Sequence, residues 1–254
     1  MRKTIVGNWK MHGDLKGVEQ LLSTVRQALF SLDVNVIVCP TFVHLSFVYS
    51  KLKHSKLMGL GAQDLSMHKE GAYTGEVAGA MLKELGCNYV IVGHSERRQY
   101  HHETNEIVAV KLQQALQEKL VPILCIGETE AERAANKTKK VLEAQLTAAL
   151  QSLPKLNMKL EAPLMIAYEP VWAIGSGVSA TEAQIEEMHV FIRKVLEKLI
   201  PKVGATLPIL YGGSVKAKNA KSILSLNEVS GALVGGASII ANEFVKICEI
   251  AASL

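Results

Sequence analysis

Residues 164–170 read Leu164-Met165-Ile166-Ala167-Tyr168-Glu169-Pro170, an apolar run that stops on a carboxylate and a proline. Its apolar side chains follow one another without polar alternation, so both faces of the segment are to be buried. That is the mark of a strand in a parallel sheet. Runs of the same character recur at 4–6, 34–38, 57–60, 89–92, 121–126, 207–210 and 232–234, which with 164–167 makes eight. They start roughly 23 to 43 residues apart, room for a helix each time. Parallel neighbours require such crossovers, so the chain reads as strand then helix, eight times over.

The intervening stretches carry helix signals. Val18, Leu21, Leu22, Val25 and Leu29 share one helical face, as do Ile185, Met188, Ile192, Val195, Leu196 and Leu199 ahead of Pro201. Thr129 with Glu132, and Thr181 with Gln184, have capping-box spacing at two helix starts, and Gly86 stands where a helix C-cap belongs. An open doubly wound sheet would also use parallel strands. However, Asn8-Trp9-Lys10 follows the first run instead of a glycine-rich turn, and a helical stretch follows the eighth, as closure needs. The expected fold is a (β/α)8 TIM barrel. At 254 residues, with no Pro/Gly/Ser-rich linker or charge block, residues 1–254 form one domain in this reading.

Composition narrows the function classes. The chain is 48% hydrophobic and 20% charged, a mixture that can bury a core and is unlike disordered, collagenous or coiled-coil chains. The net charge of +4 is mild, and its basic residues are scattered apart from Lys137 and the Lys139-Lys140 pair. No basic stripe with interleaved aromatics offers itself to nucleic acid, although a small anion remains a suitable ligand. Cys39, Cys87, Cys125 and Cys248 lie far apart with no C-x-x-C pair, which suits reduced thiols in a cytoplasmic protein. No apolar stretch is long enough for a signal segment or a membrane span.

In such a barrel the chemistry collects at the C-terminal ends of the strands. After the first run come Asn8 and Lys10; after the fourth, His94, Ser95 and Glu96; after the sixth, Glu169. One lysine, one histidine and one glutamate at the same end of different strands form an acid/base set with a fixed positive charge. Gly212-Gly213-Ser214 and Gly235-Gly236 follow the seventh and eighth runs, where backbone N–H groups of barrels commonly hold phosphate. Either glycine pair alone reads equally as a tight turn; both together favour an anion. His94 opens a helix, whose dipole favours a neutral, hydrogen-bond-donating imidazole, although a lone histidine is also often structural. Glu169, closing an apolar strand, is expected to be poorly solvated and raised in pKa, as a base requires; a salt bridge to a helix is the alternative. Pro170, Val171, Trp172, Ala173, Ile174, Gly175, Ser176 and Gly177 form an apolar stretch with a rigid start and a glycine-flexed end, which suits a lid that excludes water.

Gly7-Asn8-Trp9-Lys10, Gly93-His94-Ser95-Glu96-Arg97-Arg98, Ala167-Tyr168-Glu169-Pro170-Val171-Trp172-Ala173-Ile174-Gly175, Tyr211-Gly212-Gly213-Ser214-Val215 and Leu233-Val234-Gly235-Gly236-Ala237-Ser238 together resemble the triosephosphate isomerase family, in the family's order along the chain. The resemblance implies interconversion of dihydroxyacetone phosphate and D-glyceraldehyde 3-phosphate in glycolysis and gluconeogenesis, with no cofactor and no metal. It implies that Glu169 is the base, His94 the electrophile and Lys10 the cation beside the enediolate. It also makes Asn8 a supporting donor, Gly175, Ser214, Gly235 and Gly236 phosphate contacts, Ser95 the holder of the base, and Glu96 a supporting group. Gly71-Ala72-Tyr73-Thr74-Gly75-Glu76 resembles the family's projecting third loop, which implies a homodimer with Gln63 and Thr74 bracing the partner's Lys10 and Asn8 region. Ser176 and Val178 depart from the Thr and Lys usual in the lid.

Other motifs carry less. Gly175-x-Gly177-x-x-Ala180 loosely fits a dinucleotide fingerprint but lacks the acidic strand end about 20 residues on. His101-His102-Glu103 suggests metal ligands, but neighbouring helical residues point apart and a solvated helix start fits better. Ser152-Leu153-Pro154-Lys155 matches S-x-x-K in a loop. The rival enzyme is a Schiff-base aldolase on a phosphate-binding barrel, for which Lys10 is the sole strand-end amine. The non-enzymatic rival is a phosphosugar-binding barrel, which has no need to keep Lys10, His94 and Glu169 together.

Overall fold

The computed structural model describes residues 2–54, 57–151, 164–174 and 179–254. Eight parallel strands pair in chain order, and the last closes on the first. They are β1 (Thr4–Asn8), β2 (Asn35–Cys39), β3 (Gly59–Ala62), β4 (Tyr89–Val92), β5 (Val121–Ile126), β6 (Met165–Tyr168), β7 (Ile209–Tyr211) and β8 (Gly231–Val234). Alternate strand residues point inward: Val6, Ile37, Ile91, Ile123, Met165, Leu210 and Leu233 fill the barrel. Their neighbours, among them Ile5, Val36, Val90, Leu124 and Ile166, face the helices. Burial on both faces is why the runs carry no polar alternation.

The shell is α1 (Leu15–Leu29), α2 (Leu45–Leu52), α3 (Gly79–Glu84), α4 (Ser95–Tyr100), α5 (Asn105–Gln117), α6 (Glu130–Ala134), α7 (Thr138–Leu150), α8 (Glu182–Leu199), α9 (Ala217–Leu224) and α10 (Ala241–Ala252). In α1 the buried residues are the five of the apolar stripe, Val18, Leu21, Leu22, Val25 and Leu29. In α8 the stripe is buried from Ile185 to Leu196, while Leu199 stays half-buried. Both capping boxes form, Thr129 with Glu132 and Thr181 with Gln184. Gly86, at φ +79°, follows the end of α3 in the left-handed region that spares glycine a steric penalty.

Strands three and seven sit about two residues later than their apolar runs. β3 is Gly59-Leu60-Gly61-Ala62, small residues of low strand propensity that are demanded by packing: a Cβ on Gly61 would lie 2.7 Å from the Cys39 sulfur. At β7, Pro208 has no N–H to give the ladder, so the strand starts at Ile209. All four cysteines are buried and free. No helix among the described residues is long and apolar enough to cross a membrane.

Candidate active site

The barrel closes with Asn8, Lys10, His94, Glu169, Ser214, Gly235 and Gly236 around one cavity of about 710 Å³. Each lies at or just beyond the C-terminal end of a strand, so the strand order alone brings together residues up to 228 positions apart in the chain (8 to 236).

Lys10 is the first element. Its backbone takes φ +50°, an uncommon left-handed conformation for a side-chain-bearing residue. Three bonds hold it there. Its N–H donates to Asn8 Oδ1 at 3.0 Å, and the Gln63 amide donates to its carbonyl at 2.8 Å and to the Cys39 carbonyl at 2.9 Å. Nζ is thereby aimed into the cavity, where it pairs with the Glu96 carboxylate. The resemblance sends Gln63 to a partner's Lys10; in this structure Gln63 instead braces Lys10 of its own chain. Thr74 lies on an exposed loop where His68 and Tyr73 stack at 3.6 Å.

His94 is the N-cap of α4, and its Nδ1 accepts the Glu96 N–H at 3.2 Å. An accepting Nδ1 leaves the ring proton on Nε2, which stands 3.0 Å from Glu169 Oε1. The other carboxylate oxygen accepts the Ser95 N–H at 3.0 Å. Glu169 is held close on its backbone side as well. A Cβ on Gly127 would fall 1.7 Å from the Glu169 carbonyl oxygen, and one on Gly212 would fall 2.7 Å from its Cγ. These two glycines give the carboxylate its seat.

This environment corrects two expectations about charge. Burial does push the Glu169 carboxyl up, but the His94 ring, the Ser95 N–H and Lys10 outweigh it and hold it below the usual carboxylate range. Burial likewise works against a protonated His94, yet the Glu169 and Glu96 carboxylates raise the imidazole above its ordinary value. Each shift depends on the other group. Where Glu169 moves off His94, their mutual attraction is lost and burial weighs more on both, while Lys10 and Glu96 continue to act: the carboxyl rises, the imidazole falls, and the Nε2-protonated neutral ring is favoured.

Both glycine-rich turns reach the cavity. Gly213, Ser214, Gly235 and Gly236 line the cavity, with the Ser214 carbonyl held by the Asn219 amide at 3.0 Å. Gly235 precedes a short 3-10 turn, Gly236–Ile239, and Ser238 Oγ donates to the Gly235 and Asn8 carbonyls, tying the ends of β8 and β1 together. Ser238 is fully buried, and its place two residues after the Gly-Gly pair is the one sequence signal of this role.

After Glu169 the chain enters a 3-10 turn, Val171–Ala173, with Val171, Trp172 and Ile174 half-buried and Ala173 buried. Trp172 Nε1 donates to Glu128 at 2.8 Å, and the Arg133 guanidinium lies 4.1 Å over its ring. Glu128, fully buried, also accepts the Tyr168 hydroxyl. It follows β5 at the active end, so strand-end position was its only sequence signal. Gly175, Ser176, Gly177 and Val178 lie outside the described residues, as does the Ser152–Lys155 motif.

The His101-His102-Glu103 group is not one solvated helix start. The two histidines are exposed, but Glu103 is buried and pairs with Lys111 and Arg97, which also engage Asp64. This four-residue ion cluster fixes α4 against the loop after β3. Lys10, the aldolase candidate, spends its Nζ on Glu96 in a partly exposed pair and is not the desolvated free amine that Schiff-base chemistry uses.

Comparison with known proteins agrees with this geometry. The sequence pattern of the triosephosphate isomerase family matches residues 3–251. Triosephosphate isomerase of Magnetococcus marinus is 47% identical over 251 residues, covering 98% of each chain. That of Dechloromonas aromatica is 45% identical over 250 residues, covering 98% of this chain and 99% of the other. The crystal structure of the Bartonella henselae triosephosphate isomerase superposes with a TM-score of 0.88 at 38% identity, covering 98% of this chain and 99% of that one.

Proposed function

The chain belongs to the triosephosphate isomerase family, and from that premise we propose how its own residues divide the interconversion of dihydroxyacetone phosphate and D-glyceraldehyde 3-phosphate. The observation that carries the division is a single cavity lined by a carboxylate, an Nε2-protonated imidazole, an ammonium and two glycine-rich turns.

The phosphate sits against the backbone of Gly235 and Gly236 and against Ser214, with Gly175 completing the contact. This leaves the three-carbon portion facing Lys10, His94 and Glu169. Glu169 leaves His94 and Ser95 and takes a proton from the carbon next to the carbonyl. The C–H electron pair becomes the enediolate double bond, and the carbonyl oxygen takes up the negative charge. That oxygen accepts from His94 Nε2 and lies near the Lys10 ammonium and the Asn8 side chain. The hydroxyl proton on the carbon that lost its hydrogen then passes by way of His94 to that oxygen, and Glu169 returns its own proton to the former carbonyl carbon, which completes the aldose–ketose exchange with no net change in atoms or electrons. Losing its partners raises the carboxyl toward the range of an effective base, so the pairing with His94 and Ser95 acts as a resting position. Ser95 holds the base there, and Glu96 orients Lys10 and the His94 ring. A positioned base contributes about 10²–10⁴-fold, and fixed donors on the enediolate oxygen supply a further large part. Residues 170–177 act as a lid that keeps water from the intermediate, with Trp172 and Glu128 as its near-end contact.

The active species in this reading is a homodimer in the cytoplasm, with 1–254 folded as one domain. Met11 (91% exposed), Val43 (82%), Tyr73 (44%) and Tyr100 (68%) lie in the connections that follow the neighbouring strands β1, β2, β3 and β4. Such an exposed apolar arc is what a protein surface conceals against a second copy. A coupled assay with D-glyceraldehyde 3-phosphate tests the division of labour. His94→Gln should turn over at least about 10²-fold more slowly than the unaltered protein. A near-normal rate would remove His94 from the chemistry.

A further inference from the structure

His189 lies on α8 with no solvent exposure, outside the residues that line the substrate cavity. Its Nδ1 is 3.1 Å from the Glu228 carbonyl oxygen, which can only accept. Nδ1 therefore carries the proton and Nε2 presents a lone pair. Burial pulls the imidazole down to about 4, over the opposing influence of the Glu228 carbonyl, so the ring is neutral with this one tautomer.

Among the described residues, that Nε2 has no hydrogen-bond partner, and the buried hydroxyl of Tyr211 has none to take its proton. The two rings are neighbours, with centroids 6.4 Å apart and planes tilted by 44°. One orphan is an acceptor and the other has a proton to give. Native interiors rarely leave buried polar groups unpaired, still less two of complementary character side by side. Tyr211 is also well placed to report on the active site. It ends β7 immediately before Gly212-Gly213-Ser214, and a Cβ on Gly213 would come 2.2 Å from its hydroxyl. The backbone N–H of Ala180, beyond the far end of the lid, is directed at the same hydroxyl oxygen and leaves its proton free. On its other side His189 meets Tyr168 edge-on at 6.0 Å, the residue that precedes Glu169.

We propose that His189 is a positioning residue for the isomerisation: when the lid closes over bound substrate, its Nε2 accepts the Tyr211 hydroxyl proton and fixes the phosphate turn in its working position. The proposal rests on the reading of residues 170–177 as a lid over a phosphorylated substrate. It adds to the site a buried histidine that touches neither substrate nor solvent.

A double-mutant cycle on the full chain tests it, using His189→Leu, Tyr211→Phe and the pair. Circular dichroism and thermal midpoints establish folding, and His189→Gln, which keeps an acceptor near the Nε2 position, serves where the leucine variant does not fold. His189→Leu should lower kcat by about tenfold, with little change in KM. It should also raise the inorganic phosphate released per isomerisation, because a poorly closed site lets the enediolate expel its phosphate. His189→Gln should recover most of both effects. On the Tyr211→Phe background the leucine change should cost less than about twofold. The same cost with and without the Tyr211 hydroxyl, or unaltered turnover and phosphate release, would overturn the proposal. The lid reading fails separately, if a chain shortened within residues 170–177 isomerises like the unaltered protein.

Discussion

Nε2 of His94 stands 3.0 Å from Oε1 of Glu169, so the groups assigned as electrophile and base are hydrogen-bonded to each other. Neither can serve a substrate while that bond stands, and in both groups burial, the largest single influence, is outweighed by the charged and hydrogen-bonding partners together. The carboxylate is therefore stored in a stabilised form and becomes a stronger base only on leaving, when the low-dielectric surroundings are no longer offset.

Removing the charge without the shape isolates this step. In Glu169→Gln the amide oxygen still accepts from the Ser95 N–H or the His94 ring, so the fold and the affinity for inorganic phosphate should be retained. Turnover should fall by at least about 10²-fold in the coupled assay. A variant that isomerises near normally would take the proton transfer away from Glu169.

Two glycines in the same cavity should behave in opposite ways. A methyl at Gly212 would meet Glu169 Cγ at 2.7 Å, whereas one at Gly236 meets no protein atom within 4 Å. Gly212→Ala should displace the base and lower kcat. Gly236→Ala should leave thermal stability unchanged and raise KM, because its methyl occupies space assigned to the phosphate. Equal effects of both substitutions on kcat and KM would contradict the assigned phosphate position.

The eight strands were legible because a barrel strand is buried on both faces and writes that burial into a continuous apolar run. The active end was legible for a related reason: strand order fixes which polar residues meet, so Lys10, His94 and Glu169 follow from position alone. What stayed hidden depends on approach in three dimensions. No periodicity announces that the Gln63 amide turns back to Lys10 of its own chain, or that Glu103 faces Lys111 while its histidine neighbours face water. Nor could burial alone give the sign of the Glu169 shift, because the opposing partner lies 75 residues away in the chain, at position 94.

Buried His189 should tie stability to pH. Its folded pKa of about 4 lies below the ordinary 6.5, so between those values the unfolded chain binds a proton that the folded protein refuses. The stability it confers is present above pH 6.5 and is lost as the pH falls toward 4, by roughly 3 kcal/mol. Asp64 runs the other way. Burial raises it to about 6 from 3.8, so the folded state holds the extra proton and loses stability as the pH climbs through that window. The two slopes oppose each other between about pH 4 and 6. His189→Gln should unmask the Asp64 slope and gain stability on acidification relative to the parent, measured as urea midpoints from pH 4 to 7. A difference between the two proteins that does not change with pH would mean His189 is not buried neutral.

The exposed residues Met11, Val43, Tyr73 and Tyr100 bear on the proposed binding of a second copy. Tyr73 stands on the loop that carries Thr74, and the chain before it packs against its own barrel through Gln63. If a second copy covers the arc, shortening residues 68–76 removes part of the contact without disturbing the in-chain brace on Lys10. Sedimentation should then show monomers. Their activity should be greatly reduced, because Met11 of the proposed contact directly follows Lys10 of the cavity in the segment after β1. A Met11→Arg change should give the same dissociation by placing a charge that needs water at the centre of an apolar contact. Unaltered sedimentation of both variants would mean the arc is not the interface. Monomers with full activity would mean that the Lys10 backbone, at φ +50°, needs no support beyond Asn8 and Gln63 of its own chain.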